Sequence, residues 1–144
     1  MQLKFKRLHP DAILPKYETE GAAGFDFHVL EQVVSPSGKT VKIRTGWAVE
    51  VPEGYELQIR PRSGTSLKTG LMVKNSPGTI DSDYRGEVCI LIYNTGERFG
   101  HCINAGDRIA QGVLKKVPRA EILEVEELSN TKRGGGGFGS TDRK

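Results

Sequence analysis

The feature that most constrains this chain is the alternation of apolar and polar residues along several short segments, because a period of two belongs to β-strands. The alternation is clearest in residues 46–51 and 55–60. The residues that share the apolar face are Trp47, Val49 and Val51 in the first segment and Tyr55, Leu57 and Ile59 in the second. Residues 88–93, VCILIY, are continuously apolar, which predicts a strand buried on both faces.

Turn signals rich in glycine and proline separate these segments, as in SPSG, PEG, NSPG, NTG and NAGD. The first residues of the chain and residues 39–44 are further strand candidates, and residues 119–128 are a weaker one that also resembles a helix. One short helix that ends at Gly70 is expected within residues 63–70. Many short strands at close spacing predict a single all-β domain, folded as a sandwich, barrel or jelly roll.

The last part of the chain differs in composition from the rest. Residues 134–137 are four consecutive glycines, which cannot bury enough surface to offset the entropy lost on ordering them. Phe138 follows without an apolar neighbour in this tail, so we expect it to dock elsewhere. We therefore predict a β domain over residues 1–129 and a flexible glycine-rich segment over residues 130–144.

The tail also carries the net charge of the chain, which is +3. Residues 130–144 hold four basic residues and one acidic residue, a sum of +3, so residues 1–129 are neutral. A general nucleic-acid binder would carry a basic face on its folded part. We therefore expect no stable nucleic-acid partner, whereas a basic tail suits a small polyanion.

The two cysteines, Cys89 and Cys102, lack the spacing of a metal site, and we expect both to be free thiols. Free thiols are typical of a reducing compartment. No segment reaches the roughly 20 apolar residues of a membrane helix. The first residues lack the apolar centre of a signal peptide. We therefore expect a cytoplasmic protein without a membrane partner.

Two segments combine turns with groups that suit phosphate chemistry. Asp81 and Asp83 follow the turn signal at residues 77–78, which we interpret as a hairpin, although acidic residues are also ordinary turn formers. The segment PRSG at residues 61–64 offers a guanidinium, a hydroxyl and backbone N–H groups, which suit phosphate oxygens. Its alternative interpretation is a plain turn between a strand and a helix.

Two more acidic residues stand out by their position. Asp26 interrupts an apolar strand, where an inward carboxylate is costly unless it is paired or lies near a metal ion. Asp107 and Arg108 stand beside each other in GDRIAQG, and we interpret them as a turn with an internal salt bridge.

The segments AGFDF, PRSG, GTIDSDYRG, GDRIAQ and RGGGGFGST, in this order, closely resemble the five motifs of the trimeric dUTP pyrophosphatase family. The resemblance extends from about Pro10 to Thr141. It implies a distorted jelly-roll or barrel-like all-β domain that hydrolyses dUTP to dUMP and pyrophosphate by attack of water on the α-phosphorus. Such an enzyme would keep uracil out of DNA and supply dUMP for thymidylate synthesis.

The resemblance also implies a role for each matching residue. Asp81 would deprotonate the attacking water, Gln111 would help to hold it, and Tyr84 would lie beneath the sugar and exclude a ribose. The uracil would be contacted by Asn75, Gly78, Thr79 and Ile80. The phosphates would be held by Arg62, Ser63 and Gly64 in the body, and by Arg133, Gly139, Ser140 and Thr141 in a tail that closes as a lid and stacks Phe138 on the uracil.

The implied partners are dUTP, Mg²⁺ and further copies of the chain. The resemblance implies that Asp26 contacts Mg²⁺ through water, since this ion keeps waters and binds mainly to substrate phosphates. It also implies a homotrimer with sites shared between subunits.

Two alternatives stay open at the level of sequence. A dCTP deaminase shares the fold, although the intact segment from Asp81 to Tyr84 argues against it. A non-enzymatic β domain with an RGG-type RNA-binding tail is the other, although the arginine-glycine unit occurs here once and such tails usually repeat it.

Overall fold

The structure is a computed structural model that describes residues 1–96 and 100–139. Its elements in chain order are β1 (Lys4–Arg7), β2 (Phe25–His28), β3 (Val33–Ser35), β4 (Thr40–Glu50), β5 (Tyr55–Arg60), α1 (Ser63–Lys68), β6 (Leu71–Val73), β7 (Gly78–Ile80), β8 (Glu87–Asn94), β9 (His101–Ile103) and β10 (Arg108–Lys116). The strands form two four-stranded sheets, β1-β4-β8-β6 and β2-β10-β5-β7, and a two-stranded sheet, β3-β9. The prediction of an all-β domain with one short helix is confirmed.

The core lies between the two four-stranded sheets, because buried residues of both belong to one cluster. Phe27, Leu57 and Ile90 are each at most 1% exposed. Burying side chains of this size contributes about 1.5–3 kcal/mol each. Leu57 and Ile59 face this core as their alternation predicts, which leaves the polar residues of β5 on the outer face of the second sheet.

Strand β4 changes its alternation at a bulge. Its register with β8 shifts between Arg44 and Ala48, and Gly46 in between has a φ of +75°, which favours glycine. Trp47 and Val49 are buried, as predicted, but so is Ala48 between them. The bulge lets one strand cover the core with consecutive residues.

Two strand predictions are wrong in part. Residues 88–93 form β8, yet the strand alternates, with Val88, Ile90 and Ile92 buried and Leu91 36% exposed. An antiparallel sheet that packs on one side only leaves every second residue outside. Residues 117–130 form neither strand nor helix, because an extended segment needs a neighbouring strand to pair its backbone.

The predicted hairpin at residues 77–78 is a turn between sheets. The flanking strands pair differently: β6 pairs with β8 in the first sheet, and β7 pairs with β5 in the second. The turn therefore carries the chain from one sheet to the other and leaves β7 at the edge of the second sheet.

Within residues 1–96 and 100–139, no helix has the length and apolar character needed to cross a membrane.

Candidate active site

The first group of predicted site residues gathers around Asp26. Its neighbours in β2, Phe25 and Phe27, are buried in the core, so its side chain lies on the outer face of the second sheet. Arg62 Nε donates to Asp26 Oδ1 over 2.8 Å, and Arg108 Nη1 donates to Oδ2 over 3.4 Å. The carboxylate, 13% exposed, is therefore paired with two guanidinium groups. This pairing offsets the free-energy cost expected for an acid in an apolar strand.

Gln111 belongs to the same group, because β10 runs between β2 and β5. Gln111 pairs in register with Asp26 on one side and with Arg60 on the other. Its Nε2 donates to the carbonyl of Pro61 over 2.8 Å. A Cβ atom at Gly24 would come within 2.7 Å of Gln111 Oε1, so the glycine of the first motif makes room for this amide.

The predicted salt bridge between Asp107 and Arg108 is wrong. Asp107 Oδ2 accepts from the backbone N–H of Asn104 over 2.8 Å and closes the turn, whereas Arg108 pairs with Asp26 and, at 4.0 Å, with Glu18. Because Arg108 opens β10 opposite His28, its side chain reaches β2 instead of turning back.

The second group lies around Asp81, just after β7. Asp81 and Thr79 line an open cleft of about 930 Å³ together with Glu56, Asp83 and Arg85. Arg62, Gln111 and Asp26 do not line this cleft, so it holds only part of the predicted site. Arg85 Nη1 donates to the carbonyls of Ser82 and Tyr84 over 2.7 and 2.9 Å, which agrees with a role in shaping the turn.

Tyr84 and Asn75 are held against glycines of the same segment. Tyr84, 43% exposed, donates its hydroxyl to the carbonyl of Glu87 over 3.0 Å, and its ring occupies the space that a side chain at Gly86 would need. The Asn75 amide lies against Gly78, where an added Cβ would be 3.2 Å from Nδ2. Ile80, by contrast, packs against the core.

The remaining predicted residues are exposed. Ser63 and Gly64 form the first turn of α1 and face open space. In the tail, Arg133 Nε donates to the carbonyl of Gly136 over 2.7 Å, and Phe138 is fully exposed. Gly139 ends the described tail, and the predicted phosphate contacts Ser140 and Thr141 lie outside the described residues.

The two groups lie at opposite corners of the outer face of the second sheet. Gln111 pairs with Arg60, whereas the chain reaches Asp81 one residue after the pair formed by Ile80 and Leu57. The Cα atoms of Asp81 and Gln111 are therefore separated by about 13 Å along the strands and by about 10 Å across two strand spacings. The direct distance between them is roughly 16 Å. Two side chains that share one water must bring their polar atoms within about 6 Å of each other.

Comparison with known proteins identifies the chain. The profile of the dUTPase family matches residues 10–142. A deoxyuridine 5'-triphosphate nucleotidohydrolase from Nautilia profundicola is 54% identical over 144 residues, which cover 99% of this chain and 100% of the relative. The chain belongs to the dUTPase family.

Solved structures of dUTPases share the fold. A mutant of the Staphylococcus bacteriophage 80alpha dUTPase with dUpNHpp has a TM-score of 0.87 and 32% identity, over 97% of this chain and 98% of that chain. A mutant dUTPase from phage phi11 of S. aureus, described with a structural Mg(II) ion, has a TM-score of 0.83 and 29% identity, over 88% and 98%. The jelly-roll class is confirmed, and neither a dCTP deaminase nor an RNA-binding β domain is supported.

Sequence reasoning missed one histidine beside the Asp26 group of this dUTPase. His28 lies two residues after Asp26 on the same face of β2 and pairs in register with Arg108. Its Nδ1 is buried without a hydrogen-bond partner among the described residues. Burial lowers the pKa of His28 most, Arg108 and Arg62 lower it further, and the carboxylates of Asp26 and Glu18 oppose them. The signal for His28 was present, because strand alternation alone puts it beside Asp26.

The pKa of His28 predicts a pH dependence of stability. Because the folded pKa lies below the unfolded value of about 6.5, the stability from neutral His28 is present above that pH. It is lost as the pH falls from about 6.5 toward the folded pKa, since the unfolded chain binds the proton first. In Tm measurements across this range, His28→Gln should show a shallower fall than the unsubstituted protein. His9→Gln is the control that should keep the slope, and parallel slopes for all three proteins would contradict the assignment.

Among residues 1–96 and 100–139, no three His, Cys, Asp or Glu side chains are arranged to hold a metal ion. Both oxygens of Asp26 already accept hydrogen bonds from guanidinium groups.

Proposed function

We propose that this dUTP diphosphatase hydrolyses dUTP to dUMP and pyrophosphate in a site that more than one copy of the chain builds together. The separation of Asp81 from Gln111 on one sheet face carries this proposal. A base and an amide that act on the same water cannot both come from one chain when their Cα atoms lie roughly 16 Å apart. A second copy that brings its Gln111 corner against the Asp81 corner would complete the site, as cyclic oligomers allow.

Asp81 is the proposed general base. Its carboxylate takes a proton from water, whose oxygen attacks the α-phosphorus in line with the leaving pyrophosphate. The new P–O bond forms on dUMP, and the bond to the bridging oxygen breaks. Gln111 of another copy orients that water through its amide. Asp81 suits the role because it lines an open cleft that admits water and nucleotide.

The proposed phosphate grip is the Asp26 group with the start of α1. Arg62 is fixed by its bond to Asp26, so its guanidinium is oriented before substrate arrives. Ser63 and Gly64 follow it and are exposed, which leaves a hydroxyl and backbone N–H groups available to phosphate oxygens.

Mg²⁺ is proposed to be held mainly by the phosphates, with Asp26 contacting it through water. The carboxylate fits this limited role, because its bonds to Arg62 and Arg108 would have to break for direct ligation. The ion would neutralise charge on the triphosphate.

The proposed uracil pocket uses the edge of the second sheet. Strand β7 pairs with β5 on one side only, so the other side of its backbone offers N–H and C=O groups in a fixed order. Such a pattern distinguishes uracil from cytosine, and Asn75 beside Gly78 adds an amide. Tyr84 is proposed to lie beneath the sugar, where a ribose hydroxyl would clash.

Two further observations support the rest of the proposal: the first favours a homotrimer, and the second favours a location in the cytoplasm. The irregular segment after β10 exposes apolar side chains, with Ile122 at 96%, Leu128 at 86% and Val125 at 56%, which favours contact with another copy. Cys89 and Cys102 are free thiols, as predicted, which suits a reducing compartment.

Mixing two inactive variants tests the shared site. Asp81→Asn and Gln111→Ala each remove one half of the water site, so each homogeneous protein should be inactive on dUTP with Mg²⁺. When the two variants are refolded together from denaturant in equal amounts, about one quarter of the sites should become active. Asp81 and Gln111 of one site come from two different copies, and each copy carries the intact residue with a probability of about one half. Recovery of no activity, with mixed assembly verified by mass, would contradict a shared site.

A further inference from the structure

We propose that Arg60 is a further substrate-binding residue, which contacts the polyphosphate of dUTP although it lies outside the motif that begins at Pro61. The inference rests on the proposed function, since it assigns Arg60 to the corner of the sheet that holds Gln111 and the proposed phosphate grip. Gln111 pairs with Asp26 on one side and with Arg60 on the other, so the three form one row across the sheet. Adjacent positions in such a row are about 5 Å apart at their Cα atoms.

The side chain of Arg60 faces outward, toward the same surface as the Asp26 group. Leu57 and Ile59 in β5 point into the core, and Arg60 follows them on the opposite face. Its guanidinium donates to Gln58 Oε1 from Nε over 2.9 Å, and Nη2 makes a second bond to the same oxygen. Because Gln58 lies two residues earlier on the same strand, this contact places the guanidinium on the outer face.

The guanidinium of Arg60 has a different kind of partner from the guanidinium groups of Arg62 and Arg108. Arg62 and Arg108 are both paired with Asp26, whereas the ion pairs found in residues 1–96 and 100–139 do not include Arg60. Its partner is the neutral amide of Gln58. A guanidinium bound to an amide keeps its full positive charge for an anion, and its planar fork suits phosphate oxygens.

A ladder of side chains holds Arg60 in place. Gln58 Nε2 donates to Glu56 Oε1 over 2.7 Å, and Glu56 lines the same cleft as Asp81. The ladder Glu56-Gln58-Arg60 thus runs along β5 from the Asp81 corner to the Gln111 corner. Arg60 stands at the Gln111 end of this ladder, so its guanidinium lies beside the Asp26 group and suits the phosphates that this corner is proposed to bind.

Arg60→Gln tests this role in the full-length protein. We expect KM for dUTP and Kd for dUpNHpp to rise about tenfold, with kcat changed less than about twofold, because the lost contact holds the ground state as well as the transition state. Binding of dUMP, which lacks the β- and γ-phosphates, should change less than about twofold. Arg60→Lys, which keeps the charge without the fork, should recover part of the affinity.

Lys6→Gln is the control, because Lys6 is an exposed cation on β1 in the other sheet. It should leave KM and kcat for dUTP and the Kd values of dUpNHpp and dUMP unchanged. Should Arg60→Gln fail to fold, Arg60→Met, which keeps the apolar stem, is measured in the same way.

Two outcomes would overturn the inference: unchanged Kd for dUpNHpp, or an equal loss for dUMP and dUpNHpp, which would show a merely structural role. Arg62→Gln, measured in parallel, separates this failure from a failure of the proposed site. If Arg62→Gln weakens dUpNHpp while Arg60→Gln does not, only Arg60 is misassigned. If neither variant weakens it, the proposed phosphate grip is wrong as well.

Discussion

An Asp81→Asn variant is expected to lose dUTP turnover by about 10³-fold, the middle of the range for removing a general base. The amide has nearly the shape of the carboxylate but cannot accept the proton of the attacking water. Nucleotide affinity should remain within about threefold, because the groups proposed to bind uracil and phosphate are unchanged. Pyrophosphate release measures the first quantity, and calorimetry with dUpNHpp measures the second.

Asp83→Asn provides a matched control for this experiment. Asp83 lies two residues further on and lines the same cleft, so its substitution makes the same change in charge next to Asp81. If the loss of turnover in Asp81→Asn comes from the missing base and not from the changed charge of the cleft, Asp83→Asn should keep at least about a third of the activity. Comparable losses in the two variants, or normal turnover by Asp81→Asn, would show that the base has been assigned wrongly.

Deletion of residues 132–144 is expected to keep the fold and to reduce turnover by about 10²-fold, as loss of a closing segment misplaces the reacting groups. The described part of this tail makes local bonds only: Gly134 N–H donates to Thr131, and Arg133 donates to Gly136. Phe138 is fully exposed and touches no core, so its removal leaves the folded body intact. Tm should therefore stay within about 2 °C of the full-length value.

A single substitution separates the lid from a general effect of truncation. Phe138→Ala should lower kcat/KM by about tenfold, because stacking of an aromatic ring on a base contributes about 1–3 kcal/mol. Phe138→Trp retains the stacking surface and should stay near the unsubstituted activity. Full activity of the truncated protein would refute the lid, and a large fall in its Tm would show that the tail supports the fold instead.

Residue patterns predicted the fold class because burial on one face is a local property of a strand. The alternation at Leu57 and Ile59 reports which face of β5 meets the core, and it needs no knowledge of the neighbouring strand. Asp26 was instead interpreted as an inward acid, whereas its side chain lies on the outer face of the second sheet. The strand prediction failed for residues 119–128, which pair with no strand among the described residues.

The site residues were predicted from resemblance, but their neighbours were not. Arg108 follows Asp107 in sequence, and a salt bridge between adjacent residues was the simplest interpretation of the pair. Sheet register instead places Arg108 opposite His28 and beside Asp26, more than 75 residues earlier in the chain. No local pattern reports a contact over that separation, because it depends on which strands pair and with what offset.

The sequence by itself therefore determined the all-β class, the inward face of β5 and the glycine-rich tail, and its resemblance to a family supplied the residues proposed to act on dUTP. Only the tertiary structure decided that Asp26 is shared by two arginines, that β7 lies at a sheet edge, and that Asp81 and Gln111 lie at opposite corners of one face. The physical reason is the range of the interactions: side-chain alternation is set within a few residues, whereas strand order and register are set by packing between distant segments.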